Sequence, residues 1–239
     1  MEKITAFFKI IQRGLVQLLF PNICVCCGQE VVQKKHHICP FCLEKRFVYA
    51  ASENRESSSN VILPHGVILQ QAMWTFDKGG LLQDLMHHLK YERLIGIGYQ
   101  LGKALARRLK KHPAVKTQLA AKEALLIPVP LHYLKFRKRG FNQAFSISRG
   151  IQEELSIPIC SINAVRRNKY TQSQTGFTLQ KRINNMKDAF TVSQPDQVKG
   201  KMVIIVDDVF TTGSTSFELA KTLKEAGADS IMIWTVAQA

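Results

Sequence analysis

Residues Val203 to Thr215, reading VIIVDDVFTTGST, constrain the fold of this chain more than any other stretch. Val203 to Val206 is a short β-branched run, the composition of a strand buried on both faces of a parallel sheet. It delivers two adjacent carboxylates, Asp207 and Asp208, to the carboxyl end of the sheet, the edge where open α/β sheets bind ligands. Thr211, Thr212, Gly213, Ser214 and Thr215 follow. Their hydroxyls and unhindered N–H groups sit where a helix begins, so the helix dipole and unpaired amides converge on an anion. A monophosphate fits such a loop. Carboxylates beside a polyanion make sense only where they face hydroxyls or share a divalent cation with the ligand. A strand-to-helix turn capped by Asp and Thr would use the same residue types. A Walker A loop is excluded, because no Gly-Lys-Ser/Thr follows four spacers after a glycine.

The surrounding rhythm extends this α/β pattern. Met202 to Val206 predicts a buried strand, Ser214 to Ala226 a helix stopped by Gly227, and Ser230 to Val236 a last strand. Upstream, Val67 to Phe76 predicts a strand ending in the turn Asp77-Lys78-Gly79-Gly80. Leu81 to Lys111 predicts two helices broken by Gly96 and Gly98. Leu125 to Val129 predicts a strand, followed by a long basic loop, a helix over about Asn142 to Leu155 and an apolar strand at Ile159 to Val165. Strands alternating with helices favour a parallel sheet covered by helices. At 239 residues the chain suits one main domain with an appendage, taking roughly 150 residues per domain. The division expected is 1–50, an amphipathic helix plus a cysteine module; 51–64, a polar Ser-rich linker; and 65–239, the α/β domain.

Ile4, Phe7, Phe8, Ile11, Leu15, Leu18 and Leu19 fall at helical spacing before Pro21. Such a helix packs on its own protein or lies on an anionic membrane surface. Five of the six cysteines lie between Cys24 and Cys42. Cys24 and Cys27, then Cys39 and Cys42, form two C-x-x-C pairs whose separation lets two knuckles converge on a tetrahedral Zn²⁺. These four are the expected ligands of a structural site, with Gly28 easing the approach of amides to sulfur. Cys26 is extra and could exchange with a neighbour; His36 or His37 could complete a Cys₃His site; a redox dithiol is the other reading. Cys160 reads as a buried small hydrophobe.

The chain carries 33 Lys and Arg against 18 Asp and Glu, a net charge of +15 that favours polyanionic partners. Leu131 to Phe190 holds eleven of the cations and three acids, which suggests one basic face. Within it, Arg137, Lys138, Arg139 and Gly140 follow a strand, and the planar fork of arginine suits the oxygens of a diphosphate. A solvated basic surface or a nucleic-acid patch accounts for the same residues. Tyr133, Phe136, Phe141, Tyr170 and Phe177 could stack bases or lie in the core. His132 reads as a structural residue at a strand end.

The string Val203 to Thr215 resembles the phosphoribosyl diphosphate (PRPP) loop of type I phosphoribosyltransferases. Taken with Arg137 to Gln143, Arg166, Arg167, Thr171, Gln174, Leu179, Arg182, Asn185 and the N-terminal cysteines, the chain resembles the ComF family of competence-associated proteins. The resemblance implies a type I phosphoribosyltransferase-like parallel sheet flanked by helices, with a small N-terminal zinc-ribbon-like module. It implies that Asp207 and Asp208 contact the ribose hydroxyls and that Thr211, Thr212, Gly213, Ser214 and Thr215 hold the 5-phosphate. Arg137, Arg139 and Gly140 would lie on the diphosphate side, and Arg166, Arg167 and Arg182 on a mobile loop. Mg²⁺ would accompany PRPP.

Three functions are compatible with this. The first is an accessory of DNA uptake in natural transformation that binds PRPP and handles single-stranded DNA. The second is an active transferase moving ribose 5-phosphate to a nucleobase-like acceptor. The third is a PRPP sensor, or a scaffold docking a competence helicase on the zinc module. Lys9 and Arg13 interrupt the N-terminal apolar stretch, and no run of about 18 uncharged apolar residues occurs. The expectation is therefore a cytoplasmic protein without a transmembrane segment, membrane-peripheral only through partners.

Overall fold

A computed structural model describes residues 21–33, 36–50, 62–170 and 185–239. The expected helix over residues 4–19, linker residues 51–61, and Thr171, Gln174, Phe177, Leu179 and Arg182 lie outside the described residues. The contacts divide the chain into two units between Arg46 and Phe47.

In the first unit, Ile23 pairs with Glu30 in an antiparallel bridge around the turn that contains Cys24 and Cys27. Helix α1 (Pro40–Lys45) starts on Cys39, with Pro40 at its first position, where a missing N–H costs nothing. The Asn22 side-chain amide donates to the carbonyls of Val31, Gln33 and His36, tying the intervening loop to the turn.

The second unit is built on a four-stranded parallel sheet in the order β1 (Val67–Thr75), β6 (Ser230–Gln238), β5 (Met202–Phe210) and β2 (Ala124–Pro128). In β5 and β6 the side chains are buried on both faces, as a parallel sheet covered on two sides requires. Val203, Ile205, Ile231 and Ile233 join Leu219, Ala220 and Leu223 of α7 (Ser214–Glu225) in one cluster. Ile204, Val206, Met232 and Trp234 alternate to the other face, where α3 (Ile95–Leu109) and α6 (Gln143–Leu155) pack.

The crossing of α3 and α6 depends on two glycines. A Cβ on Gly102 would lie 2.0 Å from the Ile147 carbonyl oxygen, and one on Gly150 would lie 2.1 Å from that of Tyr99. Ser146 Oγ, at the same contact, donates to the Ile95 carbonyl at 2.6 Å.

Several expectations change. Gly96 and Gly98 do not break the helical segment; α2 (Leu81–Tyr91) ends at Glu92, and Arg93 takes a left-handed φ of 59° before α3 begins. A further helix, α4 (Pro113–Ala121), follows. The long basic loop contains a helix, α5 (Tyr133–Arg139), whose N-terminus is capped by His132 Nδ1 accepting from Leu134 N. Gly140 closes it at φ 81°, and the three cations of its last turn favour the negative end of the dipole.

The expected strand at Ile159 to Val165 reduces to one parallel bridge between Ile159 and Leu126. The chain turns at Ser161, whose N–H is held by the Gln197 side chain, and Ala164 N donates back to the Ser161 carbonyl. β3 (Val165–Arg167) then pairs antiparallel with β4 (Phe190–Val192) in a separate ribbon.

The α3–α6 contact yields a prediction. Gly102→Ala forces the two helices apart, costing about 1–3 kcal/mol. Melting should fall by several degrees by calorimetry, at roughly 2–4 °C per kcal/mol for a domain of this size; an unchanged Tm contradicts the packing described.

Candidate functional site

β5 runs on through Phe210, so Asp207 and Asp208 lie within the strand rather than after it. Consecutive strand residues face opposite sides, and the cations around the two carboxylates serve them unequally. Asp208 Oδ2 is 2.6 Å from Lys90 Nζ, at the end of α2. Burial would raise the Asp208 pKa, but the Lys90 charge and hydrogen bond outweigh it and hold Asp208 below its ordinary value. Lys90 responds in kind: burial would discharge it, and Asp208 more than compensates, so its pKa rises. The charges of Lys90 and then Arg167 favour the Asp207 carboxylate without outweighing its burial. Burial, and then the Asp208 charge beside it, push Asp207 up to about 7.

Arg139 and Arg167 act on this pair, and Lys135 stands near both of them and Lys90. Arg139 is oriented by Gln143, whose Oε1 accepts from Nη1 at 3.0 Å, and its charge acts on both Asp208 and Lys90. Arg167, on β3, lies over the Phe190 ring and acts on Asp207. Burial, and then the charges of Arg167, Arg139 and Lys90, bring Lys135 down to about 8. Lys90 and Lys135 were absent from the sequence reading. Lys90 belongs to a leucine-rich amphipathic helix far along the chain, and no local motif marks it.

The loop after β5 has no carboxylate cap. Gly213 is the N-cap of α7 at φ 74°, without a side-chain cap hydrogen bond. A Cβ there would lie 2.5 Å from the Phe217 ring and 2.8 Å from that of Phe210, so only glycine fits. Asp207 and Asp208 instead accept from the N–H groups of Asp208 and Val209. Thr212 and Ser214 hydroxyls lie 3.2 Å apart beside the first turn of α7, while Thr211 is exposed and Thr215 half-buried. An Asp and Thr cap therefore does not explain this turn.

The structure separates the arginines. Arg139 and Arg167 join the acidic pair, whereas Arg137 and Arg166 are exposed. Gly140 serves as the left-handed stop of α5.

In the first unit, the thiols of Cys24, Cys27, Cys39 and Cys42 lie within 4.8 Å of one another and could hold a metal ion. Burial raises the Cys24 pKa, but N–H groups of Cys39, Cys26 and Cys27 outweigh it and bring Cys24 down to about 7. Cys24 thus offers one thiolate, while burial and then hydrogen bonds with Cys27 and Cys39 push the Cys42 thiol up. Cys26 stands outside the cluster, and burial followed by the Cys24 charge push it up to about 12. Gly28 takes φ 72° at the end of the first knuckle.

A family model described as the phosphoribosyl transferase domain matches residues 97–239, which span β2, β5, the loop after it and α7. Competence protein F of Haemophilus influenzae is 36% identical over 160 residues, covering 66% of this chain and 68% of that protein. DNA utilization protein YhgH of Escherichia coli K12 is 32% identical over 165 residues, covering 69% and 70%. Competence protein ComFC of Bacillus subtilis is 24% identical over 223 residues, covering 92% and 86%. The chain belongs to the ComF family of phosphoribosyl transferase domain proteins.

The ion pair at the strand end generates a stability prediction. Lys90→Met leaves the Asp208 charge unpaired. Breaking a buried pair costs about 3–5 kcal/mol, reduced to about 2 kcal/mol because Lys90 and Asp208 retain 26% and 14% exposure. Calorimetry at neutral pH should show a clear fall in Tm, and adding Asp208→Asn should recover most of it. Equal melting of wild type and Lys90→Met contradicts the pairing.

Proposed function

We propose that this protein binds PRPP with Mg²⁺ at the Asp207–Asp208 pair and handles single-stranded DNA as an accessory of DNA uptake in natural transformation. One observation carries the PRPP reading: an acidic pair at the end of the central strand lies between a hydroxyl-rich helix start and four cations, Lys90, Lys135, Arg139 and Arg167. In this reading Asp207 and Asp208 hold the ribose hydroxyls. Thr211, Thr212, Gly213, Ser214 and Thr215 hold the 5-phosphate, and Arg139 and Lys135 face the diphosphate. Mg²⁺ supplies charge neutralisation between the acidic pair and the diphosphate oxygens. The names of the competence and DNA utilization relatives, with the net charge of +15, support the DNA role and a cytoplasmic setting. Among the described residues no helix is long and apolar enough to cross a membrane.

A second reading draws on the same cations. Lys135, Arg139 and Arg167 gather where a departing diphosphate would develop charge, as transfer of ribose 5-phosphate to a nucleobase-like acceptor requires. Diphosphate release assayed across a panel of bases separates turnover from binding.

Zn²⁺ is the fitting occupant of the four-cysteine cluster, since four thiolates at this spacing form a closed structural site. That module is then available to dock a helicase partner. Chelation with a thiol-reactive dye present should release one Zn²⁺ per chain and unfold the first unit, read by metal-dye absorbance and circular dichroism. Absence of Zn²⁺ from protein purified without chelator contradicts the assignment.

PRPP binding is tested by calorimetric titration with Mg²⁺. Asp207→Asn with Asp208→Asn should abolish measurable binding, whereas unchanged affinity overturns the ribose assignment. The Lys135 pKa near 8 adds a sign. Lys135 is charged below that value and loses its charge above it, so PRPP affinity should fall as pH rises through 8. Lys135→Met should remove that dependence.

A further inference from the structure

On the outer side of β2, a cleft of about 410 Å³ opens between α5, the start of α6 and the β3 ribbon. This volume is that of a small-molecule site, about 300–1,000 Å³. Its walls are apolar and aromatic, among them Leu131, Tyr133, Phe136, Phe145 and Ile162. Tyr133 and Phe136 stand 62% and 47% exposed at the mouth, more than core packing leaves to an aromatic ring. Asn163 lines the same cleft, and its amide, both donor and acceptor, makes no hydrogen bond with the described residues.

The rim is cationic. Arg166 lines the cleft, and Arg137 and Lys169 follow its lining residues Phe136 and Asn168 in the chain; all three are exposed and form no ion pair among the described residues. The only acids between Leu131 and Tyr170 are Glu153 and Glu154. Both are engaged by Lys103 and Arg107 of α3. No carboxylate from this segment therefore offsets the rim.

We propose that this cleft seats an unstacked base of a single DNA strand, whose phosphates run over Arg137, Arg166 and Lys169. The proposal rests on the DNA-handling reading above and locates it. Apolar aromatic walls take the face of any base, which is how strands are held without sequence preference. The Asn163 amide meets a base edge that mixes donors and acceptors. The cations meet the backbone. A duplex does not offer these groups, because its bases are stacked inside it.

The cleft and the acidic pair are neighbours and not one site. Arg167 lines the cleft, and its charge also acts on Asp207. A strand and PRPP can be bound together, in contact through that guanidinium.

The test uses the full chain and a fluorescent oligothymidylate, followed by anisotropy across a salt series, with melting checked for every variant. Tyr133→Ala with Phe136→Ala should weaken binding roughly five- to hundredfold, the loss expected for one or more stacked bases, with the salt slope kept. Arg137→Ala with Arg166→Ala should instead lower the slope by about 1 to 2. An oligonucleotide carrying 5-iodouracil should cross-link on irradiation to Tyr133, Phe136 or Phe145.

Aromatic variants that bind as wild type does, or cross-links mapped only outside the cleft, overturn the base site while DNA handling stands. Free thymidine that displaces the strand at comparable concentration also overturns it, in favour of a free nucleobase. No binding by wild type overturns both. Binding retained in Asp207→Asn with Asp208→Asn supports two adjacent sites, and its loss overturns their separation.

Discussion

Lys90 reaches from the end of α2 to the end of the central strand, and its ammonium stands 2.6 Å from Asp208. Two adjacent carboxylates at the edge of a low-dielectric sheet cannot both ionise without help. Lys90 supplies most of that help to Asp208, with which it pairs, and less to Asp207. The consequence is an asymmetric pair, with Asp208 held as a carboxylate and Asp207 lifted to about 7 by burial and by its neighbour. Everything else at this end of the sheet is arranged around that asymmetry. Arg139 is braced by Gln143, Arg167 approaches from the ribbon, and Lys135 is brought down to about 8 by burial and then by the other cations. An anionic ligand with hydroxyls relieves the crowding from both sides.

The scaffold explains why these groups stay in place. β5 is buried on both faces by α7 on one side and by α3 with α6 on the other. Gly102 and Gly150 bring α3 and α6 to backbone contact. The same α6 begins at Asn142, whose side chain accepts from Phe145 N and donates to the Val129 carbonyl. That fixes where α5 and its cations lie relative to the end of β2. A change in the helix crossing would therefore be felt at Arg139 and Lys135, although both lie outside that crossing.

Much of this was legible in the sequence where the signal is local. The strand and helix flanking Asp207 and Asp208 follow from a β-branched run and a Gly-Ser-Thr helix start, and the four clustered thiols follow from two C-x-x-C pairs. What escaped is tertiary. Arg137 and Arg139 look alike in a basic run, yet helical spacing turns Arg139 toward Gln143 and the acidic pair and leaves Arg137 in solvent. The apolar run from Ile159 suggested a strand, but the Gln197 side chain captures Ser161 and diverts the chain into the β3 ribbon. Gly96 and Gly98 suggested a helix break, whereas Gly98 is buried against Ser146, a close contact that only a missing Cβ permits. Lys90 had no motif at all, because its role comes from a helix brought back over the sheet.

The central claim is the unequal protonation of the acidic pair, and side-chain carboxyl carbon NMR of protein labelled at aspartate reads it directly. Single Asp→Asn variants assign the two signals. The account predicts one signal titrating near 7 and the other remaining ionised to well below the ordinary aspartate range, with Lys90→Met abolishing the difference. Two signals titrating together near pH 4 in the wild-type protein would contradict it.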